Sequence, residues 1–337
     1  MNSSIARPAS PHQEGSSGPA PSRASQDAAA RPIRCIGVVG LGHMGEEFAQ
    51  NLVSDGYEVI VEDRDAERAQ ALQPHGARVA ARLADLAPCD AVITSLPNDE
   101  VLASVALLPD GLAAILAPSS IHISMSTVSP GLSRRLADVH AAHGQGFVAA
   151  PVLGNPDLAH ARKLFVIAGG RHEAVARARP VLERLCQHVF VMGDDAGAAS
   201  LMKLAGNTLT AMTLQGMGEV LALLRKSGVD PHLAFDVLTG SLFDGRVHKT
   251  YGGKIVEGRY SPPGMTAPLA IKDLRLALAE AEHQAVPMPV ASLVHDRLVG
   301  VVARGWGGLD WSALGLLAAA EAGLDASVTA AVASRQS

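Results

Sequence analysis

Lys203 and Asn207 stand four positions apart in GAASLMKLAGNTL, residues 197–209. A helix puts both on one face, one turn apart. Leu201, Met202, Leu204 and Ala205 surround the lysine with apolar neighbours. An ammonium in that company has two fates. It can snorkel to water along its own stem. It can also be held out of water, where its pKa falls toward neutrality and it can exchange a proton with a reacting group. Asn207 supplies a donor and an acceptor without adding charge. These residues alone leave both readings open.

A second chemical pattern lies in GVVGLGHMG, residues 37–45. Gly40, Gly42 and Gly45 form a GxGxxG turn after the apolar run Cys35–Val39. Met44, Phe48, Leu52 and Val53 follow at helical spacing, and Gly56 is placed to stop the helix. In that context Gly40 permits the tight turn, Gly42 lets backbone approach a pyrophosphate, and Gly45 lets helix pack on strand. The helix N-terminus presents free N–H groups to phosphate. The alternative is a glycine-rich turn with no ligand. Asp63 closes the next strand, placed for the ribose hydroxyls of NAD, while the adjacent Arg64 can hold the 2′-phosphate of NADP. The balance of charge in Asp63-Arg64-Asp65 leans toward NAD.

The elements that must position these groups change character along the chain. YEVIVEDRD, DAVITSLP, IHISMST, GFVAAPVL, KLFVIAGG and HVFVMGD read as further strands, separated mostly by helical or loop stretches. Such alternation predicts a mainly parallel, doubly wound sheet. After Asp194 the strand pattern stops. Residues 197–228 read as one helix of about eight turns. Asp230-Pro231 is a helix start, and APLAIKDLRLALAEAEHQ, PVASLVHDRLVGVVARG and DWSALGLLAAAEAG are more helices. The expected organisation is a disordered tail over 1–31, a dinucleotide-binding α/β domain over 32–196, and an all-α domain for substrate and dimerisation over 197–330, entered through a long helix. The tail is rich in Ser, Pro, Ala and Gly and has too little apolar content to offset ordering.

Composition narrows the partners. The formal charge of −5 and pI near 6.2 leave no basic excess to meet nucleic-acid phosphates. Cys35, Cys89 and Cys186 form no CxxC or Cys/His metal spacing, so no metal site is expected and a reducing, cytoplasmic setting is. The longest apolar stretch, VLASVALLPDGLAAILA, is broken by Pro109-Asp110-Gly111, so no membrane span is expected.

From residue 33 to about 320 the chain resembles the β-hydroxyacid dehydrogenases, relatives of 6-phosphogluconate dehydrogenase. GVVGLGHMGEEFAQNL is similar to the family's N-terminal signature and SMSTVSPGLSRRLA to its Ser-Thr-x-x-Pro stretch. AAPVLGNP, GAASLMKLAGNTL and IKDLRLA are similar to its substrate segment, its catalytic Lys-x-x-x-Asn and its Lys-Asp-Leu motif. The resemblance implies a Rossmann domain, NAD or NADP as cofactor, a small-molecule substrate of the 3-hydroxyacid or semialdehyde type, and a homodimer or homotetramer. It implies Lys203 as catalytic acid/base with Asn207 orienting substrate. Gly40, Leu41, Gly42, His43, Met44, Gly45, Asp63, Arg64, Leu96, Pro97, Val101, Ser126, Thr127 and Lys272 would line the cofactor. Ser126, Leu153, Gly154, Asn155 and Lys272 would meet substrate together with the catalytic pair. Three of these have plainer readings. Ser126 and Thr127 can cap the helix after Pro130, and Lys272 can be one more charge on an amphipathic helix between Leu269 and Leu274.

The substrate segment departs from the family pattern Asp-x-Pro-Val-Ser-Gly-Gly. Leu153 stands where a serine hydroxyl would meet a carboxylate, and Asn155 replaces the second glycine. That points to a bulkier or less polar substrate. Two alternatives share the architecture. An NADPH-dependent imine reductase usually carries Asp or Tyr at the lysine position. A non-catalytic dinucleotide-binding module would lack the lysine. Lys203, Asn207 and Lys272 together favour an enzyme.

Overall fold

Short apolar runs separated by helices build a six-stranded parallel sheet. β1 (Cys35–Val39), β2 (Glu58–Glu62), β3 (Arg78–Val79), β4 (Ala91–Thr94), β5 (Ile121–Ser124) and β6 (Gly146–Ala149) lie in the order β3-β2-β1-β4-β5-β6. Every neighbouring pair is parallel. The structure, a computed structural model, describes residues 32–324. The expected tail over 1–31 and positions 325–330 lie outside the described residues.

All five residues of β1 and all four of β4 are buried, as befits parallel strands covered by helices on both faces. The strand order reverses between β1 and β4. Loops leaving these two strands diverge there and open the crevice in which such sheets bind ligands.

GFVAAPVL does not run on as one strand. Pro151 has no N–H for a ladder, and the chain leaves the parallel sheet at Ala150. β7 (Val152–Leu153) then pairs antiparallel with β8 (Leu164–Ala168), and β9 (Cys186–Val191) pairs parallel with β8, forming a second, three-stranded sheet. The expected single sheet is therefore two. They are joined where Ala149 and Gly169 exchange backbone hydrogen bonds of 2.9 Å in each direction.

The long helix spans Ala196–Lys226, 31 residues, capped by Asp195, whose carboxylate accepts from Gly197 N. Helices Pro231–Thr239, Arg246–Glu257, Ala267–His283, Pro289–Ala303 and Ala313–Glu321 pack around its C-terminal part. The second of these was not expected, since Gly252-Gly253 is poor helix material. Packing requires the first of the two glycines, because a Cβ there would collide with Met217 and lie 2.8 Å from a Phe235 ring carbon. Leu214, Leu274, Leu298, Trp311 and Leu317 form a core separate from that under the sheet. Among the described residues no helix is long and apolar enough to cross a membrane.

Candidate active site

The glycine turn is shaped by exclusion of side chains. Gly40 has φ of +87°, and a Cβ there would lie 2.5 Å from the Ser95 carbonyl oxygen. A Cβ on Gly45 would run into the Gly40 carbonyl oxygen. Gly42 is different. The nearest atom to a Cβ there is Arg68 Nη1 at 3.9 Å, so its backbone face is open. Gly42 is also the N-cap of helix His43–Ser54, with no side chain on the first N–H groups. Such a cradle fits a dinucleotide pyrophosphate. Leu41 is buried beneath the turn, Met44 packs on the sheet core, and His43 is exposed at the helix start.

Asp63 leaves β2 and braces the turn. Its carboxylate accepts from Leu41 N at 2.6 Å and Asp65 N at 2.8 Å, with lone pairs left for a ribose hydroxyl. Arg64 is exposed. Arg68, on helix Ala66–Ala71, is paired with Asp65 at 3.2 Å and brings its guanidinium over Gly42. Arg68 was not among the expected residues. Its position on the first turns of the helix after Asp63 was the available signal.

The loops after β4 and β5 complete this edge. Leu96 leans on Gly40, its Cδ2 2.8 Å from where a Cβ would stand. Ser126 Oγ accepts from Leu96 N at 2.8 Å and donates to Thr94 O at 3.3 Å. The Ser126 hydroxyl thus fastens the two loops to each other. Asn98 caps helix Asp99–Leu107 through Val101 N; Pro97, just before the cap, is exposed and Val101 is half-buried. The cap of helix Pro130–Ala142 is Ser129, which corrects the reading of Ser126 and Thr127 as its cap.

Lys203 and Asn207 face the same edge from the long helix. Lys203 is 8% exposed and its Nζ donates to Asn207 Oδ1 at 3.0 Å. Asn207 Nδ2 donates to Asp273 Oδ2 at 2.5 Å. Asp273 Oδ1 pairs with Lys272 Nζ at 2.9 Å, and that ammonium donates to Thr127 O at 2.6 Å. The chain of contacts fixes the amide orientation, since turning Asn207 over would set NH₂ against an ammonium. Burial lowers the Lys203 pKa to about 8; Asp273 pulls it up and Lys272 pushes it down. The lysine does not snorkel. Asp273, at 2% exposed, links the two lysine helices. It was visible as part of Lys-Asp-Leu, but a carboxylate at a core position of an apolar helix was the overlooked signal.

The substrate segment lies against the same turn of the long helix. Leu153 Cδ2 is 3.3 Å from where a Cβ on Gly206 would stand, one residue before Asn207. Gly154 has φ of +146°. Asn155 Oδ1 caps helix Pro156–His160 by accepting from Leu158 N at 3.0 Å, so its oxygen is used locally and Nδ2 is the group it could offer a ligand.

Two family profiles match in tandem. That of the NAD binding domain of 6-phosphogluconate dehydrogenase covers residues 35–193. That of the NAD-binding domain of NADP-dependent 3-hydroxyisobutyrate dehydrogenase covers residues 197–317. A 3-hydroxyisobutyrate dehydrogenase of Pseudomonas aeruginosa is 34% identical over 268 residues, 77% of this chain and 90% of that protein. The chain belongs to the β-hydroxyacid dehydrogenase family. It is accordingly an NAD(P)-dependent dehydrogenase or reductase acting on hydroxyl groups. Within the family it is 37% identical over 285 residues to the oxidoreductase YfjR of Bacillus subtilis, 83% of this chain and 98% of the relative. The solved 3-hydroxyisobutyrate dehydrogenase of Mycobacterium tuberculosis with L-serine superposes with a TM-score of 0.77 at 29% identity, covering 84% of this chain and 98% of that one.

Proposed function

We propose that the chain transfers hydride between nicotinamide and a 3-hydroxyacid or semialdehyde substrate, with Lys203 as general acid/base. The nicotinamide ring, when bound, supplies or accepts the hydride. The observation that carries the proposal is the buried Lys203 ammonium, hydrogen-bonded to Asn207 and brought to a pKa of about 8. In oxidation the neutral amine takes the hydroxyl proton. In reduction the ammonium donates to the developing alkoxide. Asn207, held by Asp273, aligns Lys203 and keeps an N–H or lone pair for the substrate oxygen. Lys272 offers a cation to a substrate carboxylate. Gly40, Gly42, Gly45, Leu41, His43 and Met44 would hold the pyrophosphate end, Asp63 the adenosine ribose, and Leu96, Pro97, Val101, Ser126 and Thr127 the nicotinamide side.

Leu153 beside Gly206 supports a substrate carrying an apolar substituent rather than the smallest hydroxyacids. Exposed Leu223, Leu233, Val237 and Leu293 on the helices support self-association as a dimer or tetramer. The test of the chemistry is turnover of 3-hydroxyacids, semialdehydes and cyclic imines with NAD(H) and NADP(H), for the wild type and Lys203→Ala. The expected result is hydroxyacid or semialdehyde turnover, with kcat falling roughly 100-fold or more in the variant and dinucleotide binding kept. Turnover of imines alone, or an unchanged kcat, ends the proposal.

A further inference from the structure

Cys35 and Cys89 are 54 positions apart in sequence, yet their Sγ atoms lie 3.5 Å from each other. Cys35 opens β1 and Cys89 ends the turn before β4, so two neighbouring parallel strands bring the sulfurs together. The pair sits at the strand ends opposite the glycine turn and has no part in the reaction proposed above. We propose that Cys35 and Cys89 form a reversible redox modification site, oxidised to an intramolecular disulfide by a hydroperoxide and reopened by a thiol reductant.

Three features prepare the pair. The backbone carrying Cys35 is clamped, because the Asp90 carboxylate accepts from Arg34 N at 2.9 Å and Cys35 N at 3.1 Å, while Asp90 N donates to Cys35 O at 2.9 Å. The two strands therefore cannot slide out of register without losing three hydrogen bonds. Gly37, two residues along β1, has no Cβ; one there would stand 3.0 Å from Val92 Cγ2, 3.1 Å from Leu86 Cδ2 and 3.5 Å from Cys89 Sγ, so the missing side chain leaves the Cys89 thiol its place on this face. Closing to bonding distance needs the sulfurs to approach by about 1.5 Å. The thiols also differ in character. Contact with Cys89 holds Cys35 below the ordinary thiol value, against the effect of burial. Contact with Cys35, and then burial, push Cys89 up. Cys35 is also the more exposed of the two, at 8% against 1%. Cys35, the thiol nearer solvent, is thus the one an oxidant reaches first, and Cys89 is the resolving thiol.

The reaction balances with hydrogen peroxide as oxidant. Cys35 thiolate attacks one peroxide oxygen; the O–O bond breaks, the sulfur keeps an OH, and the other oxygen leaves as water after gaining a proton. Cys89 sulfur then attacks the Cys35 sulfur. The S–O bond breaks, the S–S bond forms, and a second water leaves with the Cys89 proton. Two thiols lose two electrons in all, and the peroxide gains them. The bond would enclose the β1-helix-β2 unit and staple it to β4.

Cys186, buried at the start of β9 in the other sheet, is an internal control. The full chain is treated with a small excess of hydrogen peroxide at neutral pH, unfolded, alkylated, and measured by intact mass and peptide mapping. The expected result is loss of two hydrogens, one alkylatable thiol at Cys186, and a linked peptide pair carrying Cys35 and Cys89 that dithiothreitol separates. In Cys89→Ser, dimedone should label Cys35 and no linked pair should form. Three alkylatable thiols after peroxide overturn the assignment. So does a bond involving Cys186, or a Cys35 sulfinic acid beside a free Cys89.

Discussion

At the scale of single residues, the role proposed for Lys203 makes its charged neighbours the groups that tune the pH–rate profile. The Lys203 ammonium loses its proton near pH 8, mainly because it is buried. Oxidation needs the neutral amine, so its rate should climb through that pH, while reduction should fall. Asp273 raises this value and Lys272 lowers it. Asp273→Asn should therefore move the midpoint of the pH–rate profile down, and Lys272→Gln should move it up. A common shift in one direction would mean that neither charge acts on Lys203. Stability follows the same sign. The folded pKa lies below the unfolded one, so this group's contribution improves as pH rises from about 8 to the ordinary 10.5. Asp63 braces Leu41 N, and the proposed function gives it the adenosine ribose as well. Alanine there would loosen the turn for either cofactor. Asp63→Asn keeps an acceptor and removes the charge, so the ratio of kcat/KM for NADP(H) over NAD(H) should rise by about 1 to 3 kcal/mol, or roughly 5- to 150-fold. An unchanged ratio would leave the choice to Arg64 and Arg68.

At the scale of elements, β4, β5 and helix Pro130–Ala142 are pinned by a polar chain inside the sheet's helix layer. Gln145 Nε2 donates to Ala113 O at 3.1 Å and Leu116 O at 2.7 Å, which leaves its Oε1 to accept from His140 Nδ1 at 2.6 Å. His140 Nε2 then accepts from His122 Nδ1 at 2.8 Å, and His122 Nε2 accepts from Thr94 Oγ1 at 3.0 Å. One tautomer of each ring satisfies the whole chain. A proton added to His140 Nε2 meets the His122 Nδ1–H, so His122 must switch tautomer and Thr94 Oγ1 must turn from donor to acceptor. Burial lowers His140 to about 4 and takes His122 well below its usual value, with His140 adding to the latter. Both folded values lie below the unfolded one. The stability they contribute is full above pH 6.5 and is lost as pH falls toward 4. The melting temperature should drop over that interval, and the drop should be smaller in His140→Gln, whatever its absolute midpoint. Equal drops in the two proteins would assign the acid lability to other groups.

At the scale of the whole molecule, the proposed substrate site is a meeting of distant segments. Leu153 comes from the small sheet, Lys203 and Asn207 from the long helix, and Lys272 and Asp273 from a helix 65 or more positions further on. If Leu153 gives apolar contact to a substituent, Leu153→Ser should lower kcat/KM for branched or longer substrates by about 1 to 3 kcal/mol. Activity toward short hydroxyacids should rise as a hydroxyl gains a charged partner. A large fall in melting temperature with unchanged substrate preference would show instead that the side chain serves the core.

Local pattern carried much of this protein's architecture. The glycine turn, the parallel strands, the cap at Asp230-Pro231 and the long helix all rest on interactions within a few residues, or on a periodicity that one stretch of chain displays by itself. The Lys203 and Asn207 pairing is of that kind, because i and i+4 on a helix need no partner to be neighbours. What tertiary structure decided lies between segments. Pro151 ends β6, but only the pairing of β7 with β8 shows where the chain goes. Helix Arg246–Glu257 overcomes its two glycines because Met217 and Phe235 require the space at Gly252. Ser126 became a fastener between loops, Asn155 a helix cap, and Asp273 the link between two lysines. Hydrogen-bond partners and burial depend on what the fold brings alongside, and burial is what takes the Lys203 ammonium to a pKa near 8.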